Sequence, residues 1–461
     1  MTMWLPDLTQ RGGPRYRAIA AALHDDIVSG RLPAGAKLPT HRDLAWKLGV
    51  TVGTVTRAYA EAERQGLIGG EVGRGTFVLA PQRMSEVPLA PPPDGVVDMS
   101  VNAMALWPDI PAIRQAMEEV ARRPDLAQLL AYQPVNGPAR FRAAGAAYIA
   151  ATSGLEVGED RVMLTAGGQN ATFLAYAAVT RPGDVVLVEQ LTYAGIKPIA
   201  AMLGLRLVPV AMDGDGLIPE AVEQACRLHG AHALYCMPNL HNPTTVTMPP
   251  GRRRELVAVA RRMNLTIIED DVYGFLAPCR HETLAALAPD LVIYLTSVSK
   301  SLMPGLRVGY IVPPRQLADR MTTGLRAMNL GTCQVGTAAA SLLIESGEAD
   351  RIAARRRAVV SERQEIARRV LGRDLPGSDP GCTHLWIPLP EPWRREEFAR
   401  ELLARGVRVS SADAFAVARG DIPHAIRVCI CSTDRADALE QGLRTVADLL
   451  DDPMVTSSPV V

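Results

Sequence analysis

The sequence is poor in the features that hold secreted or membrane-bound chains together. Its 461 residues include only seven cysteines: Cys226, Cys236, Cys279, Cys333, Cys382, Cys429 and Cys431. They form no CxxC pair and no ladder of regular spacings, so buried free thiols in a reducing compartment are expected. No apolar run approaches the ~20 residues that a bilayer crossing needs. The first fifteen residues lack a charged-then-apolar leader pattern and are broken by Pro6. Neither sign of charge prevails, with 49 basic and 49 acidic side chains. No internal repeat is seen. These absences leave a cytoplasmic globular protein, long enough for at least two domains with separate cores.

The neutral balance hides an asymmetry. Residues 1–80 hold 10 Lys/Arg against 7 Asp/Glu, a surplus of three positive charges that the remainder offsets. A nucleic-acid partner is permitted by that surplus, though not indicated by it alone. The clearest boundary follows. Residues 80–96 contain Pro91-Pro92-Pro93, which cannot donate to a helix or sheet ladder and favours an extended spacer. The expected organisation is a small domain at 12–79, a linker at 80–96 and a large domain at 97–452.

The small domain reads as three helices and a hairpin. Tyr16, Ile19, Leu23 and Ile27 share one helical face, which Gly30 ends. Thr40 caps a second helix with Leu44 and Leu48 inward and Gly49 as its exit. Thr51 caps a third, with Val52, Val55 and Tyr59 toward the core and Gly66 at its end. Two short helices joined by a glycine-containing turn make a helix-turn-helix. Residues 67–79 then alternate around Gly73-Arg74-Gly75, as a two-stranded wing would.

The large domain follows another rhythm. β-rich runs at 162–165, 185–189, 205–210, 233–237, 266–269, 292–296 and 307–312 are separated by helical or loop segments. That alternation predicts an α/β fold with a mostly parallel sheet, whose ligands sit at the carboxyl ends of the strands. From about residue 340 the pattern turns helix-rich, with strands at 384–389 and 426–431. A smaller C-terminal subdomain is expected there.

The chemistry concentrates in Ser297-Val-Ser-Lys300-Ser-Leu-Met-Pro-Gly305-Leu-Arg307-Val-Gly309-Tyr310. A lysine nucleophile must stand where it meets an aldehyde. Two hydroxyls just before it and an arginine seven residues after it suit a phosphate, with Gly305 turning the backbone so that Arg307 faces inward. Upstream, Thr266-Ile-Ile-Glu-Asp270-Asp271-Val-Tyr273 ends a buried strand with acids. Leu164-Thr-Ala-Gly167-Gly168-Gln169-Asn170 sits between a strand and a helix, where backbone N–H groups make an anion site.

This set of motifs, in this order from Tyr132 to Arg427, resembles the fold type I pyridoxal 5'-phosphate (PLP) enzymes, and among them the aminotransferases. The resemblance makes Lys300 the catalytic Schiff-base lysine. It places Ser297, Ser299, Arg307 and the amides of Gly168 and Gln169 on the cofactor phosphate. Asp270 is then the partner of the ring nitrogen, although a spacing of two leaves Asp271 open for that part. Tyr273 and Asn242, the latter in Asn239-Leu-His-Asn242-Pro243-Thr244, face the ring's phenolic oxygen, and Tyr193 stacks on the ring. Thr245 stands where the family often has glycine. Arg427 matches the arginine that pairs with an amino-acid carboxylate, and Tyr132 a tyrosine donated across a dimer interface.

Residues 14–79 resemble the GntR winged helix-turn-helix domains, through Gly30-Arg-Leu-Pro-Ala-Gly35, Leu38-Pro39-Thr-His-Arg42-Asp-Leu44-Ala45, Leu48-Gly49-Val50-Thr51 and Gly73-Arg-Gly75-Thr76. By that resemblance Arg42, Thr51, Thr54 and Arg57 contact DNA from the helices and Arg74 from the wing. The two halves together are the arrangement of the MocR subfamily. The implied function is a homodimeric transcription regulator that carries PLP and senses an amine or amino-acid effector. The alternative is a working PLP-dependent aminotransferase acting on an amino acid. No metal and no membrane partner are expected.

Overall fold

The computed structural model describes residues 4–8, 13–29, 31–33, 35–64, 67–71, 75–78, 95–104, 109–277, 281–372, 379–418 and 422–451. The chain divides into two compact units, Met1–Glu86 and Val87–Val461.

In the first unit, helix α1 (Arg15–Val28) buries Ile19 and Leu23 completely, with Tyr16 and Ile27 at the edge of the same cluster. Helix α2 (His41–Leu48) begins where the Thr40 hydroxyl oxygen accepts the Asp43 N–H at 3.2 Å. It ends at Gly49, whose φ of 62° is the left-handed conformation glycine adopts without penalty. Thr51 plays the same part for α3 (Val52–Arg64), accepting the Thr54 N–H at 3.2 Å. Val55 and Tyr59 are buried as expected, but Val52 is 46 % exposed. Helical side chains lean toward the N-terminus, and this first helical residue has no preceding turn to lean against. The wing forms from antiparallel β1 (Ile68–Glu71) and β2 (Gly75–Val78), in register from Ile68 opposite Val78 to Glu71 opposite Gly75. Gly30, Gly66, Gly73 and Arg74 lie outside the described residues, as does most of the linker.

In the second unit the strands are, in chain order, β3 (Val97–Asp98), β4 (Met163–Thr165), β5 (Val185–Glu189), β6 (Arg206–Val210), β7 (Met212–Asp213), β8 (Gly216–Leu217) and β9 (Ala233–Cys236). They continue with β10 (Thr266–Asp270), β11 (Val292–Ser297), β12 (Gly309–Val312), β13 (His384–Pro388), β14 (Val407–Arg408), β15 (Ser410–Ser411) and β16 (Ala425–Cys429). Seven of them form one sheet in the order β4-β12-β11-β10-β9-β5-β6. Only β12 runs against its neighbours. The fold is therefore α/β with a mostly parallel sheet. β5, β9 and β11 are buried along their whole length, which explains why they are mostly apolar, with the polar residues of β5 and β11 at their carboxyl ends. Apolar clusters cover both faces.

The run expected at 307–312 becomes a strand only at Gly309. Arg307 itself caps a short turn with a φ of 54°, while Gly305 has no positive φ. The left-handed residue of this turn is thus the arginine. A second sheet, β13-β16-β15, forms the core of the C-terminal subdomain, and β14 pairs in parallel with β3. Residues that follow the linker are in this way stitched to the far end of the chain. Cys226, Cys236, Cys382, Cys429 and Cys431 are buried free thiols, Cys333 is exposed instead, and Cys279 lies outside the described residues.

Candidate functional site

Because β4, β5, β9, β10 and β11 run in the same direction, the segments that leave them gather at one end of the sheet. Lys300 lies three residues past β11. Its turn is clamped from behind by Arg356, which is 3 % exposed, donates to the Lys300 carbonyl at 2.6 Å and to the Leu302 carbonyl, and pairs with buried Asp109 at 2.9 Å. The Tyr148 hydroxyl adds a 2.6 Å hydrogen bond to Ser301. The Lys300 ammonium donates to the main-chain carbonyl of Asn102. Burial is the main force on this amine and pushes its pKa down to about 8.

Asp270 and Asp271 at the end of β10 are separated by their partners. Asp271 accepts from Asn239 Nδ2 at 2.7 Å and from the Tyr294 hydroxyl at 2.9 Å, both behind the strand end. Asp270 accepts from the Tyr235 hydroxyl at 2.7 Å and weakly from the Val272 N–H at 3.4 Å. Burial raises both carboxyls, that of Asp270 to about 7, and Asp270, held by one hydroxyl and one weak amide contact and near enough to Lys300 to act on its charge, is the acid with interactions left to make. Glu269 points to the other face and caps the Thr283–Leu287 turn through the Leu284 and Ala285 amides at 2.9 and 2.8 Å.

An anion cradle assembles from three segments. Gly168 and Gln169 begin the helix Gly168–Val179. Arg307 reaches across to donate to the Ala166 carbonyl at 2.9 Å. A Cβ on Gly167 would stand 2.8 Å from Arg307 Nη2, and one on Gly168 would stand 3.5 Å from Ser297 Oγ. Glycine at these positions keeps the helix start open between a guanidinium and a hydroxyl. Ser299 joins through its N–H, which donates to Ser297 Oγ at 3.4 Å. The Gln169 side chain is spent elsewhere, accepting from the Tyr193 hydroxyl at 3.1 Å and donating to the Gly195 carbonyl at 2.6 Å.

On the opposite side Arg427, 2 % exposed, projects from β16. It donates to Asn242 Oδ1 at 2.7 Å and to the Ser100 carbonyl, and its Cζ lies 4.6 Å over the Phe415 ring. Its Nε has no hydrogen-bond partner among the described residues. Tyr273 is buried and accepts from Asn102 Nδ2 at 2.8 Å. Thr245, where glycine was the alternative, takes a φ of 67°. Tyr132 is 92 % exposed and takes no part in these hydrogen bonds within one chain.

Sequence reasoning missed Ser100, Asn102, Tyr235, Arg356, Thr383, His384 and Phe415. Ser100 and Asn102 sit in a segment without periodicity and reach the cluster through the β3–β14 pairing and the bond from the Cys429 N–H to the Met99 carbonyl. Arg356 is one of many arginines on a long helix, and nothing local marks it as buried. The signal for His384 was a polar residue opening an apolar strand.

In the first unit, Arg42, Thr51 and Arg57 are exposed and Thr54 partly so. Thr51 and Thr54 share a 2.9 Å hydrogen bond at the start of α3, so their hydroxyls order the helix end they were expected to present to DNA.

The description "Aminotransferase class I and II" matches residues 94–443, and "Bacterial regulatory proteins, gntR family" matches residues 15–78. The HTH-type transcriptional regulator YdeF of Bacillus subtilis is 32 % identical across 97 % of both chains. The chain belongs to the MocR-type transcription regulators, a GntR helix-turn-helix joined to an aminotransferase class I/II domain. The HTH-type pyridoxine biosynthesis transcriptional regulator PdxR of Corynebacterium glutamicum is 28 % identical to this MocR-type chain over 76 % of it and 77 % of PdxR. Among solved structures, α-aminoadipate aminotransferase LysN of Thermus thermophilus, complexed with N-(5'-phosphopyridoxyl)-L-leucine, superposes with a TM-score of 0.70 at 25 % identity, covering 77 % of this chain and 92 % of that one.

The residues fit the cofactor that this fold implies. The glycine-floored cradle suits a phosphate, a buried amine with a lowered pKa suits an aldehyde, and Asp270 is a buried carboxyl suited to a protonated ring nitrogen. No helix among the described residues is long and apolar enough to cross a membrane, and they hold no metal-binding cluster.

Proposed function

We propose that this protein is a PLP-carrying transcription regulator that senses an amine or amino-acid effector at the end of its large sheet. The observation that carries the reading is the convergence of Lys300, Asp270 and Arg427 on one site in a chain that also holds a DNA reader. When bound, the cofactor supplies an aldehyde that captures amines and a ring that withdraws electrons. Lys300 holds its aldehyde end. Gly168, Gln169, Ser297, Ser299 and Arg307 hold its phosphate, and Asp270 keeps a proton at the ring nitrogen. Tyr193 covers one ring face, while Tyr273 and Asn242 bind the phenolic oxygen. Arg427 takes the effector carboxylate.

The reader, residues 12–79, meets DNA through Arg42, Thr51, Thr54, Arg57 and Arg74, and the 80–96 linker joins it to the domain at 97–452. The protein acts in the cytoplasm as a homodimer. Dimerisation is supported by the exposed apolar side chains Met117, Leu130 and Leu330, and by Tyr132, which would complete the phosphate site of the other copy. A two-fold reader suits two half-sites.

The test is direct. Full-length protein mixed with PLP should gain visible absorption that Lys300→Ala abolishes, and its footprint on DNA should change when an amino acid is added. No absorption in the wild type, or absorption that survives Lys300→Ala, would refute the cofactor reading. A second reading, a working aminotransferase, is favoured by the completeness of the Lys300, Asp270 and Arg427 set. Multiple turnovers of keto acid would establish it, whereas spectral change without turnover favours the sensor.

A further inference from the structure

Asn102 is 8 % exposed and lies in neither a helix nor a strand, yet it touches both Lys300 and Tyr273. Its carbonyl accepts from Lys300 Nζ. Its Nδ2 is 2.8 Å from the Tyr273 oxygen and 3.2 Å from His384 Nδ1, and its Oδ1 is 2.8 Å from Thr383 Oγ1.

One fixed point sets the direction of every bond in this group. His384 Nε2 lies 3.1 Å from the Pro243 carbonyl, which can only accept. His384 is fully buried, and burial holds its pKa well below the usual range, so the ring is neutral and carries a single N–H. That proton sits on Nε2, which leaves Nδ1 as an acceptor. The group facing Nδ1 must then be the NH2 of Asn102, and the Cys382 thiol 3.3 Å away is a second donor to it. With Nδ2 so placed, Oδ1 accepts the Thr383 hydroxyl proton. The remaining amide hydrogen goes to the Tyr273 oxygen. Tyr273 is therefore an acceptor toward Asn102, and no acceptor for its own proton is found among the described residues.

We propose that Asn102, oriented through His384 and Pro243, is a positioning residue that makes Tyr273 a one-way hydrogen-bond donor to the ring oxygen of the cofactor. The proposal rests on the cofactor reading above and deepens it. A donor at that oxygen stabilises its negative charge, and so lowers the pH at which the lysine-bound cofactor loses its proton. The titratable groups around this centre are Asp270, Arg427 and Cys429 near Lys300, Cys382 and Tyr193 near Tyr273, and His241 near His384. None of them is replaced by the substitutions below, and only Asn102→Asp adds a charge, which is why Asn102→Ala and the double variant stand beside it.

The test is a visible-absorption titration of full-length, PLP-loaded protein as wild type, Asn102→Ala, Asn102→Asp, Tyr273→Phe and the Asn102→Ala/Tyr273→Phe double variant. Asn102→Asp matches the native side chain in size and guards against misfolding, while its carboxylate would take the tyrosine proton for itself. Each single variant should raise the pH midpoint by about one unit, a tenfold change in proton affinity. The double variant should titrate like Tyr273→Phe alone, since Asn102 acts through the tyrosine. Unchanged midpoints in both Asn102 variants, shifts that add in the double variant, or a folded Asn102→Asp protein that does not load would each overturn the proposal. A wild type without visible absorption would instead overturn the cofactor reading itself.

Discussion

Arg427 and Asn242 are joined by a 2.7 Å hydrogen bond between a strand of the C-terminal subdomain and the loop that follows β9. The contact gives one guanidinium two duties. It holds the loop that carries Asn242, and it presents positive charge beside the Phe415 face. An incoming carboxylate would compete with the Asn242 and Ser100 oxygens, and so report on itself to both segments.

Arg427→Lys keeps the charge but loses the planar fork. Cofactor loading should persist, while the affinity for amino acids falls about 10- to 100-fold, from the ~1.5–3 kcal/mol of a charge-assisted contact. Spectral titration of PLP-loaded protein with amino acids measures the change. Simple amines without a carboxylate should bind the variant and the wild type alike.

Asp270 is raised by burial from 3.8 to about 7. Between those values the folded apo-protein binds a proton that the unfolded chain has released. Its contribution is therefore favourable below about pH 4 and is lost as pH rises through about 7. Asp270→Asn should stabilise the apo-protein above pH 7, by on the order of 2–4 kcal/mol, and leave it unchanged near pH 4. The same substitution should weaken PLP binding, because the neutral amide cannot balance a protonated ring nitrogen. Thermal unfolding at the two pH values, with and without PLP, tests both effects.

Gly167 has a φ of 89°. With a ψ of 173° this is a conformation open essentially to glycine alone, so Gly167→Ala should cost about 1–3 kcal/mol in backbone strain. It should also displace Arg307 from the cradle, since the new Cβ would stand 2.8 Å from Nη2. Affinity for PLP, and for inorganic phosphate as a competitor, should both fall. Equal phosphate competition in variant and wild type would remove Arg307 from the cradle.

Arg57 is exposed on α3, in the first unit. Arg57→Ala should weaken DNA binding. If the side chain meets a phosphate, the slope of log affinity against log salt falls by about 0.9, equally for all sequences. If it meets a base edge, the loss is about 1–3 kcal/mol and confined to the cognate site. Salt-dependent binding to cognate and scrambled duplexes separates the two.

The motif around Lys300, the β10 acids and the Arg427 strand were legible because each is local. A buried strand must be apolar, and a charged residue inside or just past it stands out against that background. The helix caps at Thr40 and Thr51 were legible for the same reason, since a cap bonds within three residues of itself. Asn102 and His384 were not, because their meaning depends on partners 171 and 141 residues away, at Tyr273 and Pro243. Nor could the sequence choose between Asp270 and Asp271. Both are buried acids at one strand end, and only the packing of Asn239 and Tyr294 against Asp271 separates them. The turn at Arg307 shows the same division. A proline–glycine pair announced a turn, but the residue in the left-handed conformation is Arg307, whose guanidinium reaches the Ala166 carbonyl. By itself the sequence determined which strands, caps and reactive groups exist. Tertiary structure alone decided which of them share a proton, because hydrogen-bond direction depends on neighbours that only the folded chain brings together.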